Sequence, residues 1–160
     1  MRISSSKPSL YFAAPLFNDG EKDFNRRISK SLGEWFDVYL PQRDGGLLTD
    51  LIDHGVSVDA AYRSIFDRDV QAIRECDICL IILDGRTIDE GAAFELGMAY
   101  SLGKACYGFQ SDSRRLLPVG NNPMIQCALA DIFHDCSELY SWAEQYHDRF
   151  CSGAITSTIS

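Results

Sequence analysis

Short continuous apolar runs alternate along the chain with stretches whose apolar residues recur at helical spacing. Leu10-Tyr11-Phe12-Ala13-Ala14, closed by Pro15, predicts a first buried strand. Residues 21–35 follow with Phe24, Ile28 and Leu32 at i, i+4 and i+8, the stripe of a helix packed on one side. Asp37-Val38-Tyr39-Leu40 predicts a second strand, closed by Pro41. Residues 42–55 read as a long irregular loop around Gly45-Gly46, and loops of that length in compact domains usually serve a site. A helix is expected over 57–75. The run 78–83 is uniformly apolar, as a strand buried on both faces should be. Residues 91–102 predict a compact, Ala-rich and buried helix that stops at Gly103. A strand over 105–109, a short helix over 122–128, a short strand over 131–134 and a final helix over 137–150 complete the pattern. Ser137 and Tyr140 lack the acidic partner of a capping box at the start of that helix.

Repeated strand–helix–strand units predict a single α/β domain, a doubly wound, mostly parallel five-stranded sheet of flavodoxin-like or Rossmann-like type. The expected domain spans 1–150 and a flexible tail spans 151–160. In such sheets ligands bind beyond the carboxyl ends of the strands, where strand order reverses. The loops 13–20, 41–55 and 84–91 would gather there. Neither the glycine fingerprint of dinucleotide binding nor a phosphate-cradling P-loop follows the first strand, so no cofactor is expected.

Composition narrows the partners. The 160 residues carry 23 Asp and Glu against 15 Lys and Arg, a formal net charge of −8. Such a chain lacks the clustered cations that hold nucleic acid or an anionic membrane surface. No apolar run approaches membrane-spanning length, and residues 1–8 read as a polar lead without a signal peptide, so a cytoplasmic location is expected. Six cysteines are too few for a disulfide scaffold. Cys76 and Cys79 form a C-x-x-C, but the pair precedes a strand rather than opening a helix, and no second ligand pair completes a metal site. Free thiols and no metal are therefore expected.

Two acids break the patterns around them. Asp69 falls on the face of its helix that carries Tyr62, Ile65, Phe66 and Ile73. Glu95 has Gly91, Ala92, Met98 and Ala99 as its helical neighbours. A carboxylate inside an apolar stripe costs desolvation unless it is paired or faces a cavity, and two of them beside one central strand point to chemistry. Asp89 adds a third acid at the mouth of the Glu95 helix, where it would act from the loop. Paired carboxylates serving as nucleophile and proton donor are the machinery of glycosyl transfer and hydrolysis.

These residues carry a family resemblance. Leu10 to Phe17, the segment Phe66-Asp67-Arg68-Asp69-Val70-Gln71-Ala72-Ile73, and Cys76-Asp77-Ile78 resemble the nucleoside 2-deoxyribosyltransferases. The stretch from Asp89 through Glu95 to Tyr100 is similar to that family's catalytic helix, and Asn122-Pro123-Met124 to the segment each subunit lends its neighbour. The resemblance implies an enzyme of nucleoside salvage that transfers a 2-deoxyribosyl group between nucleobases. Glu95 would be the nucleophile and Tyr11 would hold it. Asp69 and Asp89 would divide proton donation and base reading between them. Phe17 would stack near the base, Asp44 would contact it from the loop after Pro41, and Asn122 and Met124 would reach the sugar in a neighbouring subunit. Substrates would be 2′-deoxynucleosides and free nucleobases, and the protein a homo-oligomer with shared active sites. Two other readings stay open: an N-glycoside hydrolase of nucleosides or nucleoside 5′-monophosphates, and a non-catalytic nucleoside sensor. The first loop is acidic and poor in donors, which disfavours a nucleotide substrate.

Overall fold

The computed structural model describes residues 7–114 and 119–155. Five parallel strands form one sheet in the order β2-β1-β3-β4-β5: β1 Ser9–Ala13, β2 Asp37–Tyr39, β3 Ile78–Ile82, β4 Ala105–Phe109 and β5 Asp131–Phe133. The sheet is thus wholly parallel. The chain moves from β1 out to β2 and then crosses back to β3, so the switch point lies between β1 and β3.

Among the described residues six α-helices accompany the sheet, the last of them after β5: α1 Asp19–Leu32, α2 Leu48–Asp53, α3 Val58–Glu75, α4 Glu90–Ser101, α5 Pro123–Gln126 and α6 Cys136–Cys151. Successive strand side chains point to opposite faces, and two cores result. Leu10, Phe12, Ile78, Leu80 and Ile82 meet Ile28 and Leu32 of α1 and Leu139, Ala143 and Tyr146 of α6. Tyr11, Ala13, Cys79 and Ile81 meet Ile73 of α3 and Ala92, Leu96 and Ala99 of α4. Each of the fully buried Leu and Ile side chains contributes about 1.5–3 kcal/mol relative to exposure. No helix among the described residues is long and apolar enough to cross a membrane.

Helix ends follow local chemistry. Asn18 caps α1 in a reciprocal box: Glu21 N–H donates to Asn18 Oδ1 at 2.9 Å, and Asn18 N–H to Glu21 Oε2 at 3.1 Å. Gly103 takes φ +73 just beyond α4, the left-handed turn expected of it. Helix α6 is capped by Asp135, which accepts from Glu138 N–H, so Ser137 lies inside the helix rather than before it.

Three expectations need correction. Residues 42–55 are not irregular: a π-helical turn runs over Pro41–Gly45, and α2 follows with Leu48, Leu51 and Ile52 at helical spacing. Helix α4 is not buried all round; Ala92, Leu96 and Ala99 pack on the sheet, whereas Phe94 and Tyr100 are exposed. On α3, Tyr62 and Phe66 likewise face outward, and their rings border a cleft rather than the core. The tail expected over 151–160 starts at the last residue of α6, with Ile155 packed against the first core, and residues 156–160 lie outside the described residues. None of the six cysteines is in a disulfide; Cys76 caps the end of α3 and Cys79 lies in β3.

Candidate active site

Glu95 stands on α4 and meets Tyr11 of β1, whose hydroxyl donates to Glu95 Oε1 at 2.7 Å. Tyr11 is wholly buried. Its phenol has no route to water, so it is fixed as a donor, and burial together with the adjacent carboxylates holds its pKa far above the ordinary phenol range. Glu95 is pushed up to about 8. Burial is the main cause; the Tyr11 hydrogen bond opposes it, and the negative charges of Asp69 and Asp89 add to it.

Asp69 faces the same cleft from α3. Tyr39, at the end of β2, donates to Asp69 Oδ1 at 3.0 Å. Burial raises the Asp69 carboxyl above the usual carboxylate range, while Tyr39 and the neighbouring Arg68 guanidinium oppose the rise. The backbone of Gly45 runs hard against this carboxyl. A Cβ at position 45 would lie 2.6 Å from Asp69 Oδ1, so only glycine lets the turn after β2 close over it.

The two carboxyl groups share a cleft of about 360 Å³. Its walls are Leu16 from the loop after β1, Pro41, Gly46 and Leu47 from the loop after β2, and Tyr62, Phe66, Phe94 and Met98 from α3 and α4. The cleft therefore opens at the switch point between β1 and β3. Its apolar rings and paired acids suit a flat, uncharged heterocycle joined to a small polar group.

The structure places the other expected residues differently. Asp89 is the N-cap of α4, with Oδ2 accepting from Ala92 N–H at 2.9 Å, and its charge reaches Glu95. Phe17 is 76% exposed and does not line the cleft. Asp44 also lies outside it: it accepts from Leu40 N–H at 2.8 Å and pairs with Arg43 over a separate polar groove along β2 and α3. Its place in the π-helical turn aims it back at its own backbone. Asn122 caps α5, and with Met124 it lines a cavity of about 380 Å³ on the other side of the α4 N-terminus, apart from Glu95. Met124 is 81% exposed. Tyr39 was not expected at the site, and Gly45 was expected only as part of the loop after Pro41. The sequence signal for Tyr39 is only its place in the short apolar run before Pro41, and which residue it faces depends on strand register.

A carboxylate held by a phenol, opposite a second carboxyl of raised pKa, is equipped for glycosyl transfer or hydrolysis on a doubly wound α/β frame. The comparisons make this specific. The family model "Nucleoside 2-deoxyribosyltransferase" matches residues 10–148, and the chain belongs to that family. The family is one of enzymes that transfer or hydrolyse at the glycosidic bond of nucleosides. A comparison with curated proteins finds no match. Among solved structures, a conserved protein from Enterococcus faecalis V583 superposes with a TM-score of 0.74 at 22% identity, covering 88% of this chain and 99% of that one. A 2-deoxyribosyltransferase from Bacillus psychrosaccharolyticus is similar at TM-score 0.63 and 25% identity, covering 82% and 89%. A CMP N-glycosidase from Clostridium botulinum shares the fold at TM-score 0.53 and 16% identity, covering 89% and 97%.

Proposed function

We propose that this protein transfers a 2-deoxyribosyl group between nucleobases by double displacement through an ester on Glu95. One observation carries the proposal: the Tyr11 hydroxyl, 2.7 Å from Glu95 Oε1, holds a carboxylate in a cleft that a second buried carboxyl shares. Tyr11 occupies Oε1 and leaves Oε2 to attack the anomeric carbon. As the C–N bond breaks, Asp69 gives its proton to the departing base nitrogen. A second base then attacks the same anomeric carbon from the vacated side, the C–O bond to Glu95 breaks and releases its carboxylate, and the base gives a proton back to Asp69. Two inversions retain configuration.

Asp69 rather than Asp89 is the donor in this scheme. Asp89 Oδ2 is committed to the Ala92 N–H as the cap of α4. Asp69 is buried, and burial favours its protonated form. The two buried carboxyls titrate as a pair, and the productive arrangement has one proton on Asp69 and none on Glu95.

Incubation with 2′-deoxyinosine, with and without adenine, tests the proposal by chromatography. Formation of 2′-deoxyadenosine is expected. Hypoxanthine release at a rate indifferent to adenine would make the enzyme a hydrolase, and no release would leave a binding protein.

Tyr11→Phe removes the donor that favours the charged form of Glu95. The acid limb of the pH–kcat/KM profile should therefore move to higher pH. Turnover at neutral pH should fall about 10- to 100-fold, as expected for a hydrogen bond to a charged group made in a buried site. An unmoved acid limb would show that Tyr11 does not set the ionisation of Glu95.

Asn122 and Met124 belong, in this proposal, to the neighbouring subunit's site. Their separation from Glu95 within one chain supports this, as do the exposed rings of Tyr62, Phe66, Phe94 and Tyr100. Asn122→Ala and Glu95→Ala chains, each inactive alone, should regain part of the activity when unfolded together and refolded as mixed oligomers. No recovery in demonstrably mixed oligomers would place Asn122 outside the shared site.

A further inference from the structure

Tyr11 and Tyr39 are direct partners in the β1–β2 ladder. Their rings stack with centroids 5.4 Å apart and planes 15° from parallel. Each hydroxyl goes to a different carboxylate on a different helix: Tyr11 to Glu95 of α4, Tyr39 to Asp69 of α3. The spacing of two adjacent strands thereby fixes where two carboxyl groups on separate helices stand relative to each other. The backbone at Gly45 closes over the second pair; a Cβ there would lie 2.6 Å from Asp69 Oδ1 and 3.3 Å from the Tyr39 hydroxyl.

We propose that Tyr39 is a positioning residue for the proton donor: by claiming Oδ1 of Asp69 it leaves Oδ2 as the oxygen that carries the proton to the leaving base. This rests on the deoxyribosyl-transfer reading above and extends it to a residue that does not touch substrate. A carboxylic acid that accepts a hydrogen bond does so best at its carbonyl oxygen, so the acidic hydrogen lies on the other one. When the glycosidic C–N bond breaks, its electron pair passes to the base nitrogen, which takes the proton from Oδ2. The Glu95 Oε2 pair forms the ester bond. Asp69 is left as a carboxylate, and the Tyr39 hydrogen bond becomes charge-assisted and stronger as that charge develops. Tyr39 thus acts on the transition state more than on the bound substrate.

Comparison of two leaving groups in Tyr39→Phe tests this. The phenylalanine ring keeps the stack and removes only the hydroxyl. On 2′-deoxyinosine, whose base leaves with a proton, kcat should fall about 10- to 100-fold with little change in KM. On 7-methyl-2′-deoxyguanosine the purine is already cationic and departs without a proton, so kcat should fall less than about threefold. The groups around Asp69 are Tyr39 from β2, Tyr11 from β1, Glu95 from α4 and Arg68 on its own helix. Of these, Tyr39→Phe deletes one donor to the carboxylate. The Asp69 pKa should rise, and the alkaline limb of the pH–rate profile should move up on 2′-deoxyinosine, whose base needs the proton.

Equal losses on both substrates, or an alkaline limb that stays in place, would overturn the proposal and make Tyr39 a packing residue. Undiminished turnover of 2′-deoxyinosine would overturn it as well. Failure of the wild-type protein to release base from any deoxynucleoside would overturn the deoxyribosyl reading, and this inference with it. If Tyr39→Phe folds poorly, Gly45→Ala, which pushes Asp69 off the Tyr39 hydroxyl, should show the same selective loss.

Discussion

Glu95→Ala is expected to leave a folded protein whose transfer rate has fallen by about 10⁴-fold or more, because it deletes the proposed nucleophile. Base exchange followed by chromatography checks the rate, and near-normal turnover would remove Glu95 from the mechanism. Stability supplies a second signature. The carboxyl of Glu95 is ordinarily half-ionised at pH 4.5 but is held up at about 8 in the fold. A group whose folded pKa is raised in this way favours folding most fully below the unfolded value, and its contribution is lost as pH rises through the folded value. Glu95→Gln, which keeps the shape and removes the titration, should therefore gain in melting temperature over the wild-type protein at about pH 9 relative to about pH 5. The proposed nucleophile is thus a residue without which the fold would be more stable at neutral and alkaline pH. A gap in melting temperature that is the same at both pH values would mean that the fold does not raise the Glu95 pKa above its unfolded value.

Asp69→Asn should lower kcat on neutral deoxynucleosides by about 10²- to 10³-fold, the usual contribution of a positioned acid. Its effect on melting should be small, since an amide oxygen still accepts from Tyr39. The substitution also removes one of the two negative charges that raise Glu95. Glu95 should then ionise at lower pH, and the acid limb of the pH profile should shift down, opposite in direction to Tyr11→Phe. A large drop in melting temperature with normal turnover would instead make Asp69 a structural partner of Tyr39.

Glu95 and Asp69 were legible in the sequence because each violated a periodic pattern. A charge on an apolar helix face is a local anomaly, visible before any tertiary contact is known. The sheet was legible for the complementary reason: the run at 78–83 obeys the pattern of a doubly covered parallel strand without exception. Tyr39 could not be read in the same way. Val38 and Tyr39 look like any short strand, and only the ladder with β1 sets Tyr39 beside Tyr11. Gly45 was visible as a glycine, but its reason is a close approach from another helix. Helix α2 was missed although Leu48, Leu51 and Ile52 carry its period, because the paired glycines before it outweighed a six-residue signal. Phe94 and Tyr100 misled in the other direction. Their apolarity suggested burial within the chain, yet a single chain has nothing to lay over them. Asp44 was placed near the base by its loop, whereas local hydrogen bonding to Leu40 and Arg43 decides where it points.

The six thiols divide sharply by position. Cys76, Cys79 and Cys106 are buried, with Cys79 directly beside Tyr11 in the β1–β3 ladder and beside Cys106 in the next. Cys127, Cys136 and Cys151 are exposed. A maleimide used under native conditions has only the second group to react with, and Cys127 is the residue that ends α5, directly after the turn begun by Asn122. The chain thus holds a native attachment point for a spectroscopic label beside the segment assigned to a neighbour, without any change to the side chains that line the cleft.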